Sequence, residues 1–184
     1  MASIYVYDRT YARMSAPNKV VLAVQTVKHV ELNKFEGLWY EQARYDIYAE
    51  RGMTNVTSYY HERGPDGSTA IHSEDSRGII LDVNATADDT SCTKWTVRFS
   101  AWYLSWMTAS YWIIALGPVQ QASGLSGPIK HMNQYSWAVV GTPSRDALWI
   151  MSRGQYMTPY DMNTAITAAR REGFKDKMIF GTSI

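Results

Sequence analysis

The chain has 184 residues and a formal charge of +1, from 18 basic and 17 acidic side chains. This near-neutral balance excludes the strong basic stripe expected of a nucleic-acid partner, and the single cysteine, Cys92, excludes an intrachain disulfide. A domain of this length buries about 70% of its unfolded surface, so it needs no metal or disulfide to hold it together.

Residues 1–28 form an N-terminal extension. Ile4-Tyr5-Val6-Tyr7 reads as a strand there, and the extension is either a tail wrapped on the outside or a lid over an open end. Val20-Val21-Leu22-Ala23-Val24 is too short for a signal h-region, and Asp8, Arg9 and Arg13 interrupt what precedes it. No apolar run reaches the ~20 residues of a membrane helix. With the lone cysteine, these features lead us to expect a cytoplasmic protein without integral membrane association.

From residue 29 to 184 we expect one barrel domain. Strands are expected at 38–46, 54–63, 68–74, 78–87, 94–102, 111–117, 134–141 and 147–153, an even spacing typical of an up-and-down antiparallel barrel. Turn chemistry separates them: Gly64-Pro65-Asp66-Gly67, then Asp75 to Gly78, then Gly141-Thr142-Pro143-Ser144. Alternation is clearest where Trp95, Val97 and Phe99 face one way against Thr96, Arg98 and Ser100. After Arg153 the period changes. Thr158-Pro159 is an N-cap followed by proline, Met162, Ile166 and Ala169 share one face, and Gly173 stops the helix. Residues 178–180 read as a short last strand.

A closed barrel joins its first strand to its last and needs a plugged floor. Gly37-Leu38-Trp39 opens the first strand, and Trp149-Ile150-Met151-Ser152-Arg153 ends the last. A guanidinium lying on an indole, with its donors on backbone carbonyls, supplies such a plug. Gly37, Trp39 and Arg153 in this arrangement resemble the lipocalin signature. Asn33 to Arg44, Glu50-Arg51-Gly52, Asn55 to Tyr60 and Ala168 to Phe174 are similar to the bacterial, apolipoprotein D-like subgroup. The resemblance runs from about Val30 to the C-terminus. It implies a mainly β fold, an eight-stranded antiparallel lipocalin-like barrel with a C-terminal helix packed outside. Residues 117–133 and the apolar connection Trp102 to Met107 depart from the family pattern.

Taking Trp39 and Arg153 as inward fixes the phase of the outer strands, so Glu41, Ala43 and Tyr45 face in, as do Trp149 and Met151. Matching the middle strands to the family places Val56, Ser58, Tyr60, Ile71 and Ser73 inward. The same matching gives Val97, Phe99, Tyr111, Ile113 and Ala115. Rings mixed with Ala and Ser leave unfilled volume. The expected partner is therefore a hydrophobic or amphipathic small molecule, such as a fatty acid, a lysophospholipid, a polyene or a pigment-like ligand.

Glu41 is the one acid on the inward list. It is read either as part of a buried hydrogen-bonded network or as a general acid or base in a closed pocket. His29, His61, His72 and His131 do not cluster, so no metal site is expected. Nor does the sequence call for a cofactor. Cys92 follows Asp88-Asp89, a poor setting for a nucleophile. The leading reading is a ligand-binding barrel, monomeric or weakly dimeric. The second is a cofactor-free cyclase or isomerase using the same cavity, with Glu41, Tyr60 and Tyr111 as its polar groups.

Overall fold

A computed structural model describes residues 22–101, 106–119 and 133–181. The strand expected at 4–7, residues 102–105 and 120–132, and His131 lie outside the described residues. The chain enters through a short helix, α1 (Leu32–Phe35), and Gly37 turns it into the first strand at a φ of 94°, where any side chain would be strained. The strands are β1 (Gly37–Arg44), β2 (Thr57–Tyr60), β3 (Ser68–Glu74) and β4 (Ile80–Ala87). They continue as β5 (Lys94–Phe99), β6 (Thr108–Leu116), β7 (Trp137–Gly141) and β8 (Leu148–Ser152). Each pairs antiparallel with the next. β1 closes the ring by pairing with both β2 and β8, placing Gly37 opposite Tyr60 and Glu41 opposite Met151. This is the eight-stranded barrel expected from the strand spacing.

The floor is sealed as the Trp–Arg pairing requires. Trp39 is fully buried, and the Arg153 guanidinium carbon lies 3.8 Å from its ring centre. Arg153 donates through Nη1 to the Leu38 carbonyl at 2.7 Å, and through Nη2 to those of Lys34 and Phe35 at 3.0 and 2.9 Å. Its Nε donates to the Tyr135 carbonyl at 3.3 Å, while Trp39 Nε1 donates to that of Phe35 at 2.7 Å. The plug thus ties α1, β1, the approach to β7 and the end of β8 into one unit.

The second helix, α2 (Pro159–Arg171), lies on the outer surface. Thr158 caps it by accepting from the Asp161 amide. Ala165 and Ala169 are buried against the outer faces of the last strands. Phe174 follows, so close to β7 that a Cβ at Gly141 would meet its ring at 2.6 Å. A two-residue β9 (Ile179–Phe180) then pairs with Ala43 and Arg44, where β1 has diverged from β2 toward the mouth.

The inward phase breaks at two places. A bulge between Glu41 and Ala43 puts Ala43 opposite Ile150 and Arg44 opposite Trp149. Arg44 therefore turns inward, and Ala43 and Tyr45 join the cluster beneath α2. This corrects their expected inward placement. A second bulge between Ile113 and Ala115 turns Ala115 outward in the same way. Strict alternation fails because each bulge inserts one residue into a period of two.

At the floor end, Val119 bridges to Tyr135 and the Ser136 amide donates to the Pro118 carbonyl at 3.0 Å. Residues 22–30 run from the outer side, where Val24 packs beneath α2, to the floor, where Val30 joins the inner cluster. The Gln25 amide meets the Glu172 carboxylate at 2.7 Å, the Val27 amide meets the Ile113 carbonyl at 3.0 Å, and the Val30 amide meets that of Ser91 at 2.9 Å.

Candidate functional site

Five rings fill the lower half of the lumen. Phe35 contacts Trp39, Tyr60 and Trp95 at centroid distances of 5.1, 5.2 and 5.6 Å, and Tyr111 stands 6.2 Å from Trp95. Above them an apolar cavity of about 110 Å³ remains open toward the mouth. That is similar to engineered cavities of about 150 Å³ that accept a benzene. It exists because Ser58, Ser73 and Ala109 occupy inward positions where larger side chains would close it.

The expected site residues divide into three groups. Ser58, Tyr60, Ile71 and Ser73 line the cavity from β2 and β3, and Val97, Phe99 and Tyr111 from β5 and β6. Trp149, Met151 and Glu41 complete it from β8 and β1. Ile113 is fully buried inside the barrel but belongs to the packed part below the cavity. Ala43 and Tyr45 lie outside: the Tyr45 ring packs 6.2 Å from Phe174 and its hydroxyl donates to the Lys175 carbonyl at 2.6 Å.

Sequence reasoning missed Leu81 and Val83, though their alternation with Ile80, Asp82 and Asn84 was a readable signal. It also missed Ala109, because β6 begins three residues before the expected start. Ile47, Ala49 and Glu50 had no such signal. They reach the cavity because residues 46–56 fold back over the mouth with a 3-10 turn at Tyr48–Glu50. Arg44 holds that fold: its Nη2 donates to the carbonyls of Glu50 and Met53 at 2.8 and 2.9 Å, and its Nη1 to that of Tyr45 at 3.2 Å.

The same guanidinium stands between two buried acids. Its Nε is 3.0 Å from Glu41 Oε1 and 3.5 Å from Glu50 Oε2, an ion-paired trio whose Nε–H is aimed at neither oxygen and stays unsatisfied. Glu50 Oε2 also accepts from Trp149 Nε1 at 2.9 Å. Burial pushes the Glu41 carboxyl up to about 8 and raises that of Glu50 as well. Repulsion from Glu50 pushes Glu41 further in the same direction, and the Arg44 charge opposes the rise in both.

At the cavity floor the Tyr60 and Tyr111 hydroxyls bond to each other, with Met151 Sδ at 3.7 and 3.8 Å. Burial raises both phenols, so both stay neutral at physiological pH. Removing either hydroxyl leaves the other with only a weak sulfur acceptor. Tyr60→Phe and Tyr111→Phe are each expected to cost about 1–3 kcal/mol, and the double substitution less than their sum, as read by urea unfolding. Strict additivity would show that the two hydroxyls do not depend on one another.

Among the described residues, no group of three His, Cys, Asp or Glu side chains is placed to hold a metal ion. His61 is exposed and His72 half-buried on the outer wall, where His72 Nδ1 meets Asp82 at 2.6 Å. Cys92 is buried in the turn between β4 and β5, where Trp95 Nε1 donates to its carbonyl at 2.7 Å.

The family model of the lipocalin-like domain matches residues 30–182. The chain belongs to the lipocalin family. Over 154 residues it is 29% identical to the outer membrane lipoprotein Blc of Escherichia coli (strain K12), covering 82% of this chain and 77% of that one. Temperature-induced lipocalin-1 of Arabidopsis thaliana is 26% identical over 161 residues, covering 82% and 77%. Among solved structures, lobster apocrustacyanin A1 has a TM-score of 0.57 at 10% identity, covering 88% and 91% of the two chains. Insecticyanin of the tobacco hornworm Manduca sexta has 0.54 at 16%, covering 88% and 85%. These two likenesses show the fold.

The Blc relatives overturn the expected cytoplasmic location, since they carry the name outer membrane lipoprotein. The lone cysteine had pointed the wrong way for a simple reason. One thiol forms no intrachain bridge in any compartment, so its count carries no redox information. None of the relatives named here is called a cyclase or isomerase, and the two tyrosines of the enzyme reading are engaged with each other.

Proposed function

We propose that this lipocalin binds a slender hydrophobic or amphipathic molecule, a single alkyl chain or small ring, in the upper half of the barrel. The observation that carries this reading is the apolar cavity of about 110 Å³ standing open above a sealed aromatic floor. Its walls supply the apolar area whose removal from water drives binding, at about 25 cal/mol per Å² before ordering costs. A ligand as large as a tetrapyrrole would have to displace Tyr111 and Trp149, which pack at a centroid distance of 5.5 Å. The relatives named outer membrane lipoproteins support an envelope location, where lipids and their breakdown products are at hand.

Trp149 lines the cavity, so its fluorescence reports occupancy directly. Titration with medium-chain amphiphiles is expected to give a saturable change at about one molecule per barrel. Ala109→Phe should weaken that binding more than tenfold by filling the cavity, while the unfolding midpoint stays close to that of the unsubstituted protein. Undiminished binding in a folded Ala109→Phe protein would place the ligand elsewhere.

A further inference from the structure

Resting on that reading, we propose that Glu41 anchors the ligand's polar end and that this end is an uncharged hydroxyl rather than a carboxylate. The cavity lining is of two kinds. The wall from β3 to β6 is mainly aliphatic and aromatic, with Ile71, Val83, Val97 and Phe99. The polar lining is Glu41 and Glu50 together with the Ser58 and Ser73 hydroxyls, which lie 2.8 Å apart on β2 and β3.

No lysine, arginine or histidine lines this cavity among the described residues. The nearest guanidinium, Arg44, is already committed, with both terminal nitrogens on backbone carbonyls of Tyr45, Glu50 and Met53 and its Nε between Glu41 and Glu50. An entering carboxylate would leave water and compete with two acids that already share the one cation there.

Glu41 has unused capacity. Its side chain is 5% exposed, and among the described residues its one polar partner is Arg44 Nε at 3.0 Å from Oε1, which leaves Oε2 without a hydrogen bond. A buried carboxyl in this condition lacks the bonds that such groups ordinarily make. A hydroxyl suits it in either protonation state, donating to the carboxylate or accepting from the acid. The neighbouring serine hydroxyls can serve the remaining lone pair. Glu41 is thus the residue that determines which head group enters.

The experiment compares 1-decanol with decanoate at pH 7.5 by tryptophan fluorescence, in the unsubstituted protein and in Glu41→Gln. Their alkyl chains are similar and their heads differ in charge. Decanol is the more apolar molecule in any case, so the quantity read is the ratio of the two affinities and how it changes. The ratio in favour of decanol is expected to fall at least tenfold in Glu41→Gln. A fall of less than threefold overturns the assignment of Glu41. Decanoate binding as tightly as decanol to the unsubstituted protein overturns it as well. If Glu41→Gln does not fold, Glu50→Gln is read against the same thresholds, since it removes the second acid from the same wall. Silence with both probes overturns the cavity-binding reading itself, whereas binding of both without preference overturns only this inference.

Discussion

Arg153→Ala is expected to cost about 3–5 kcal/mol, a large share of what a domain of this size has to lose. The side chain is 1% exposed and bonds four carbonyls from three separate segments while covering the face of Trp39. Truncation takes a donor from each of those carbonyls, although Trp39 Nε1 still serves Phe35 and the Tyr135 amide still serves Lys34; a buried carbonyl left with no donor costs about 1–3 kcal/mol. Burial lowers the guanidinium to about 10, which keeps it charged at neutral pH, so the bonds lost are charge-assisted ones. Arg153→Lys should recover less than half of the loss, because an ammonium cannot reach the same carbonyls with a planar fork. Trp39→Ala belongs in the same range through the cavity it leaves in the aromatic floor. Urea unfolding with an unchanged slope is the measurement. Midpoints within a few tenths molar of the unsubstituted protein for both alanine variants would show that the plug does not hold the barrel closed.

That plug was legible from Gly37, Trp39 and Arg153 because its parts are rare residues at the two ends of a closed sheet. The strands were legible for a similar reason: glycine, proline and aspartate mark the turns, and the inner residues of β3 and β5 alternate cleanly. The mouth was not legible. Arg44 reads from sequence as an outward residue, and only the bulge after Glu41 turns it in. A bulge leaves no composition signal here, since Gln42 and Ala43 are ordinary strand residues. Glu50 was hidden for another reason. Its burial depends on Arg44, which holds its carbonyl and stands beside its carboxylate, and on an indole from β8, two partners that its place in the sequence does not reveal. What packs the lower half of the lumen was not legible either. Phe35 comes from α1, an element not foreseen, and it occupies the space between Trp39, Tyr60 and Trp95.

The buried trio makes stability depend on pH in a direction opposite to that of most acidic residues. Glu41 and Glu50 are both raised by burial, Glu41 from 4.5 to about 8. An acid raised in the folded state keeps its proton there while the unfolded chain has released it. Its contribution is therefore fully present below about pH 4.5 and is lost as pH rises, until the folded group also ionises near 8. A tenfold change in a carboxyl's proton affinity on folding is worth about 1.4 kcal/mol. Across the coupled pair, the loss between about pH 5 and about pH 8.5 is then on the order of a few kcal/mol. Other groups titrate in that window, which makes the difference between two proteins the informative quantity. Glu41→Gln keeps the shape, removes one proton site and leaves Arg44 to pair with Glu50 alone. Its unfolding free energy should cross that of the unsubstituted protein, lower or equal at pH 5 and higher at pH 8.5. Arg44→Met should do the reverse, costing about 3–5 kcal/mol at neutral pH by leaving two acids without a cation and the Met53 carbonyl without its side-chain donor. Curves for Glu41→Gln and the unsubstituted protein that run parallel from pH 5 to pH 9 would mean that Glu41 does not hold a proton in the fold that it loses on unfolding.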